Sequence, residues 1–382
     1  QLEMVVITFL DYGAGNIRSL RNALVAVGCE VKDVESAQDI AEAKILIFPG
    51  VGSFGLCMEN LEKKGYVEPL KAYLASGRSF FGICLGMQTL FEGSEESPGV
   101  KGLGVIPGIV SKFNDKSVSI PHMGWNSLRI MTDSTLLSSF KNLEHRFYFV
   151  HSFRALPTEA NKEWVLSLTD YGNESNTFIS SLERGRICAC QFHPEKSGSN
   201  GLRLLSAFLA RATLAEVPAT VRLAAPPAGR TVLAKRIIAC LDVRENDSGD
   251  LVVTKGDQYD VREKAAEGGD VRNLGKPVEL AQRYSDEGAD EVTFLNITSF
   301  RGDVVNSPML RVLELTSQKV FVPLCVGGGI RGYTDSQGQV HSALDVAACY
   351  FRSGADKVSM GSDAVDAAEA YYKAVAEAGG PA

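Results

Sequence analysis

The chain reads as an α/β protein built in two units, and three observations carry that expectation. Apolar runs of strand length recur along it with helix-period segments between them, the pattern of parallel strands covered on both faces. Several of those runs end in glycine turns, as strands that feed helices do. Finally, 382 residues exceed what one ordinary core organises, and residues 215–233 hold Pro218, Pro226, Pro227 and Gly229 among small residues. The expected division is 1–214 for the first unit, 215–233 for a linker and 234–382 for the second.

Composition narrows the function classes. The chain is 45% hydrophobic, with net charge −7 and no basic block, so nucleic acid is not an expected partner. No apolar run reaches 18 residues, which argues against a membrane span. Eight cysteines are scattered without framework spacing. Cys188 and Cys190 read as alternate positions of one strand, so neither a metal nor a cofactor is expected. A reducing compartment fits, cytoplasm or plastid stroma rather than secretion. The chain opens on Gln1, and the expectation is that residues, such as a transit peptide, were removed upstream.

In the first unit, residues 4–10 form an apolar strand, and Asp11-Tyr12-Gly13-Ala14-Gly15-Asn16 turns into a helix over 17–27. A dinucleotide loop is disfavoured, because Arg18 stands where the third glycine belongs. The strand at 43–48 runs into Pro49-Gly50-Val51-Gly52-Ser53-Phe54. That is either a plain tight turn or a source of free amides for an oxyanion. Phe80-Phe81-Gly82-Ile83-Cys84-Leu85-Gly86-Met87-Gln88 is the stretch on which the chemistry turns. Gly-x-Cys-x-Gly at a strand end, with a helix-like run over 87–91, is the thiol form of a nucleophile elbow; a merely buried cysteine is the alternative. The β-prone runs at 146–152 and 187–192 follow, and the second ends in His193-Pro194-Glu195. Proline stops the ladder there, so a base and a carboxylate share the strand-end loop, the pairing a cysteine hydrolase uses. Of five histidines, His122, His145 and His341 read as ordinary surface or interface residues.

Taken in order, Pro-Gly-Val-Gly-Ser-Phe, Gly-Ile-Cys-Leu-Gly-Met-Gln and Gln-Phe-His-Pro-Glu-Lys-Ser resemble the class I glutamine amidotransferases. The resemblance implies a doubly wound α/β glutaminase domain in which Cys84 attacks the side-chain amide of glutamine. It further implies that His193 shuttles the proton to departing ammonia and that Glu195 orients His193. Amides at Val51, Gly52 and Leu85 would hold the oxyanion, and Gln88, His151 and Ser152 would line the glutamine site. The opening Asp-Tyr-Gly-Ala-Gly-Asn and the later Pro-His-Met-Gly-Trp-Asn narrow the likeness to glutaminases of the imidazole glycerol phosphate synthase family.

The second unit shows strand runs at 236–243, 291–297, 320–326 and 357–360, with helical stretches at 278–287, 309–317 and 342–352. Gly288-Ala289-Asp290 recurs as Gly354-Ala355-Asp356 before strands two and four, as repeated βα pairs of a barrel would. Residues 245–276 read as one long loop, a candidate substrate cover carrying Lys255. Asp242 ends strand one, and Gly327-Gly328-Gly329 and Gly361-Ser362 would present amides to phosphate. Leu-Ala-Lys-Arg-Ile-Ile-Ala-Cys-Leu-Asp-Val, Val-Val-Thr-Lys-Gly, Phe-Leu-Asn-Ile-Thr and Val-Gly-Gly-Gly-Ile resemble the cyclase half of the same family, fused as in eukaryotes. That likeness implies a phosphorylated ribotide substrate, with Asp242 as one acid/base carboxylate. Arg236, Glu291 and Lys357 would form the charged ring where ammonia enters, and Gly329, Gly361 and Ser362 one phosphate site. The stretch from Lys235 onward is far shorter than the roughly 250 residues of a (β/α)8 barrel. The expectation is therefore the first half of such a barrel, present as a fragment, a truncated gene product or a half that pairs with a second, C-terminal half, with cyclisation by this chain alone impaired or absent. A glutaminase alone and a non-catalytic assembly subunit are the rival readings.

Overall fold

A computed structural model describes residues 4–13, 17–140, 143–224, 228–245, 251–254, 275–297, 308–335 and 337–377. Two compact units emerge, Gln1–Arg236 and Ile237–Ala382. Among the described residues no helix is long and apolar enough to cross a membrane.

The first unit is organised by an eight-stranded sheet. Its order is Cys29–Asp33, Val5–Phe9, Ile45–Gly50, Ser79–Cys84, Ile187–Cys190, Asn173–Arg184, Val165–Tyr171 and Arg129–Ile130. The first five run parallel, and beyond Ile187–Cys190 each neighbour is antiparallel. Every residue of Ile45–Gly50 and Ser79–Cys84 is buried, which is why these strands read as unbroken apolar runs: both faces are covered. On one of those faces Phe81 stacks at 4.8 Å on Phe208 of the helix Gly198–Ala212. The described parts of 215–233, residues 215–224 and 228–233, lie along this unit. Val221–Arg222 pairs with Thr132–Asp133, and the Thr231 amide donates to Asp170 Oδ2 at 3.0 Å.

In the second unit a five-stranded sheet runs in the order Leu251–Thr254, Ile238–Glu245, Glu291–Asn296, Leu324–Gly327, Lys357–Ser359. The last four are parallel, and the sheet is open among the described residues. The helices Pro277–Asp286, Pro308–Thr316 and Ala343–Ser353 fall between them, close to where helical period placed them. Leu251–Thr254 corrects the expectation of one long loop. Its β-branched Val252, Val253 and Thr254 complete a hairpin with Ile238–Glu245, in register Asp242 to Thr254. Strand alternation sorts the sheet's faces: Leu241, Val243, Val292 and Phe294 are sealed, while Ile238 and Cys240 on the other face are exposed.

Candidate active site

The nucleophile elbow forms as its glycines require. Cys84 ends the strand Ser79–Cys84 at φ 53°, ψ −107°, and is the one non-glycine residue at positive φ among the described residues. Holding it there costs roughly 1–3 kcal/mol, which the surrounding close packing must sustain. A side chain at Gly86 would place its Cβ 2.0 Å from the Phe48 carbonyl oxygen, and one at Gly82 would come within 2.8 Å of the Gly86 carbonyl oxygen. The register of Gly50 opposite Cys84 sets the Pro-Gly-Val-Gly turn, with Val51 half-buried and Gly52 exposed, beside the thiol. The expected helical run over 87–91 is shorter. One turn, Leu85–Gln88, is followed by a strand at Phe91–Ser94, because pairing with Ile106–Lys112 outweighs local helix preference.

The parallel register of Ile187–Cys190 against Ser79–Cys84 carries His193 and Glu195 to the same strand ends. His193 Nδ1 lies 2.8 Å from Glu195 Oε1, and both residues are buried, 5% and 6% exposed. Burial alone would strip the proton from His193. The Glu195 carboxylate and Cys84 outweigh it, and the ring's pKa stands well above the ordinary 6.5. Burial likewise opposes ionisation of Glu195, yet His193 holds its carboxyl below the ordinary 4.5. Both shifts favour an imidazolium beside a carboxylate in a dry site, and His193 Nε2 is buried.

Gln88 is 4% exposed, and its amide nitrogen donates to the Phe153 carbonyl at 3.1 Å and to Gln191 Oε1 at 2.9 Å. Gln191 Nε2 in turn faces Cys84 Sγ at 3.5 Å. His151 Nδ1 sits 2.8 Å from that same Phe153 carbonyl, whereas half-buried Ser152 accepts the Phe113 amide with its own carbonyl. Cys84, Leu85, Gln88, His193 and Glu195 are therefore brought together, with Val51 and Gly52 on the adjoining turn and His151 one contact away. Sequence reasoning missed three residues here. Gln191 carried a usable signal, being two positions from His193 on one strand exit and so on the same side. Tyr12, whose hydroxyl donates to the Val51 carbonyl at 2.5 Å, carried none. His122, read as a surface or interface residue, is fully buried because cross-strand register sets it opposite His151.

In the second unit Glu291 and Lys357, each the first residue of its strand, form an ion pair. Asp242 shares a register row with Leu295, Gly327 and Ser359. By alternation it lies on the face that carries Glu291 and Lys357, about 7 Å further along the strand than Lys357. Gly329 follows Leu324–Gly327 at φ +69°, and Gly361, with open space where a side chain would stand, precedes the helix Ser362–Glu377. Arg236 is the last residue of the first unit, and Lys255 lies outside the described residues.

Comparison with known proteins gives two family matches: Glutamine amidotransferase class-I over residues 8–212, and Histidine biosynthesis protein over residues 236–381. The chain is 54% identical over 380 residues to an Arabidopsis thaliana protein named imidazole glycerol phosphate synthase hisHF, chloroplastic, covering 98% of this chain and 62% of that one. It is 52% identical over 382 residues to imidazole glycerol phosphate synthase hisHF of Schizosaccharomyces pombe, covering 97% and 68%. The subunit HisH of Methanothermobacter thermautotrophicus is 43% identical over 204 residues, covering 53% of this chain and 98% of that protein. The chain thus spans about two thirds of the length of the fused relatives.

Proposed function

Because the chain belongs to the imidazole glycerol phosphate synthase family, we propose that it hydrolyses glutamine in its first unit and spends the ammonia on ring closure in its second. Residues 1–214 are the glutaminase, 215–233 the connection and 234–382 the cyclase portion. The thiolate of Cys84 attacks the carboxamide carbon of glutamine, and the amides of Val51, Gly52 and Leu85 receive the oxyanion. His193, held as imidazolium by Glu195, gives its Nε2 proton to the departing ammonia and leaves a glutamyl thioester. Water, deprotonated by the now neutral His193, then releases glutamate and restores the thiol pair. Gln88, His151 and Ser152 line the glutamine site.

Ammonia then passes the charged ring of Arg236, Glu291 and Lys357 and reaches a phosphorylated ribotide. In this reading the ribotide is cleaved to imidazole glycerol phosphate and an aminoimidazole carboxamide ribotide, in histidine biosynthesis. Asp242 serves as an acid/base group, with Lys255 over the substrate and Gly329, Gly361 and Ser362 on a phosphate. What supports this part is the shared face of Asp242, Glu291 and Lys357, with the charged pair at the strand starts and Asp242 toward their ends. A reducing compartment, cytoplasm or plastid stroma, fits the free thiol.

The observation that carries the proposal is a strained, buried Cys84 beside the buried His193–Glu195 pair. Cys84→Ser is expected to abolish glutamine-dependent product formation and leave ammonia-dependent formation intact. Loss of both together would overturn the assignment of two separate sites.

A further inference from the structure

Two histidines stand in the interior of the first unit with no water-facing surface to account for them. His122 is 0% and His151 6% exposed, and their rings meet cross-strand, His122 Nδ1 to His151 Nε2, at 3.0 Å. Phe149 and Tyr171 lie against His122, and Phe113 and Phe178 against His151. In such a box an aromatic pair would pack as well without the cost of burying polar atoms. The polar pair therefore needs a use, and its hydrogen bonds show one.

The proton positions follow by elimination. A carbonyl only accepts, so His151 Nδ1, 2.8 Å from the Phe153 oxygen, must carry the hydrogen. His151 Nε2 is then a lone pair, which fixes the hydrogen of His122 on Nδ1. His122 Nε2 is left to accept from the Asn126 amide, at 3.5 Å, whose nitrogen also donates to the Asp170 carbonyl. The Phe153 carbonyl fixes a second side chain in the same way. It also faces Gln88, so the nitrogen end of that amide must point at it. The second hydrogen on that nitrogen goes to Gln191 Oε1, which turns Gln191 Nε2 onto Cys84 Sγ. Every amide in the chain thus has a set direction, and a donor rather than a lone pair meets the sulfur.

We propose that Gln191 stabilises the Cys84 thiolate in the glutamine site, and that His122 and His151 are positioning residues holding the Phe153 carbonyl that orients the Gln88–Gln191 relay. The proposal rests on the glutaminase reading and deepens it. A thiolate gains from a fixed donor that costs no reorganisation when charge develops, and a flipped Gln191 would set oxygen lone pairs against the sulfur.

The test follows Cys84 itself, by iodoacetamide labelling against pH, read on the Cys84 peptide by mass because the exposed Cys240 would be labelled as well. Gln191→Met removes the donor at similar length. Labelling of Cys84 at a fixed pH near 7 is expected to slow about tenfold, because the thiolate is the reacting form. Glutamine kcat should fall about tenfold with KM within about twofold. His122→Phe should move both readouts the same way by about threefold, and the double variant should be no worse than Gln191→Met, because both act on one relay. His122→Asn, whose amide nitrogen reaches where Nδ1 stands, should recover most of the loss, which a pure packing role would not allow. A Gln191→Met profile that overlays the native one, or losses that multiply in the double variant, would overturn the relay. If His122→Phe does not fold, Gln191→Met and His122→Asn decide the matter. A shifted profile in a chain that never hydrolyses glutamine would sink the glutaminase reading and leave the relay standing.

Discussion

Glu195→Gln is the most informative single change in the proposed glutaminase site, because it removes a charge and little else. The native carboxylate sits 2.8 Å from His193 Nδ1, with both side chains under 10% exposed, so solvent screens the pair weakly. Two unit charges about 4 Å apart interact by about 4 kcal/mol at an effective dielectric of about 20, which is the ceiling. A hydrogen bond to a charged group nets about 1.5–3 kcal/mol and a neutral one about 1, so the floor is near 0.5 kcal/mol. At 1.36 kcal/mol per decade, kcat should drop between a little over twofold and about a thousandfold. KM should barely change, since Glu195 acts through His193. The pH profile should move as well. With Glu195 neutralised, Cys84 alone is left to oppose the effect of burial on His193, so the imidazolium proposed to serve the departing ammonia is lost at lower pH. The variant's activity should therefore decline on the alkaline side earlier than that of the native chain. Glutamate release at saturating glutamine, measured from pH 6 to 9, reads both effects. A kcat within twofold of native with an unmoved alkaline limb would refute the role given to the pair.

Tyr12→Phe frees the Val51 carbonyl from its 2.5 Å hydrogen bond; glutamine kcat should fall roughly threefold or more with KM held, at a stability cost of about 1 kcal/mol in urea unfolding. Unchanged kcat would show that the turn does not need that hydroxyl. Lys357→Met removes the Lys357–Glu291 ion pair at the starts of two strands and should destabilise the second unit. Adding Glu291→Leu should recover most of that in chemical denaturation, and a double variant no better than the single would contradict it. Acid should weaken the first unit through the histidine pair. Burial lowers His151 to about 3 and His122 well below 6.5, so below pH 6.5 the unfolded chain binds protons the folded one refuses. Stability should fall as pH drops through that window, by at most about 1.4 kcal/mol per pH unit for each ring. A urea midpoint flat from pH 7 to 5 would exclude this. His193, whose folded value is raised, works in the opposite sense: its contribution is complete below 6.5 and is lost only as pH rises through that raised value.

Local patterns in the sequence were enough for the parts of the site that lie close together in the chain. The elbow at Cys84 follows from glycines two residues to either side, and His193 and Glu195 are joined by one strand exit. The βα order of the second unit follows from period alone, and its helices lie within a residue or two of where that period put them. Where the reading failed, a pairing partner was missing. Leu251–Thr254 looked like loop until it had Ile238–Glu245 beside it, and the helical run after Cys84 gave way to a strand once Ile106–Lys112 was there to pair.

By itself, then, the sequence singled out a thiol, an imidazole and a carboxylate, each placed by its nearest neighbours. Tertiary structure alone decided which way the surrounding groups point. Gln191 and Cys84 are 107 residues apart and meet only through the parallel register of two strands. His122 becomes an interior residue only because its strand aligns it with His151. The physical reason is that a hydrogen bond's direction depends on what stands at its far end, and in a sheet that partner comes from distant sequence.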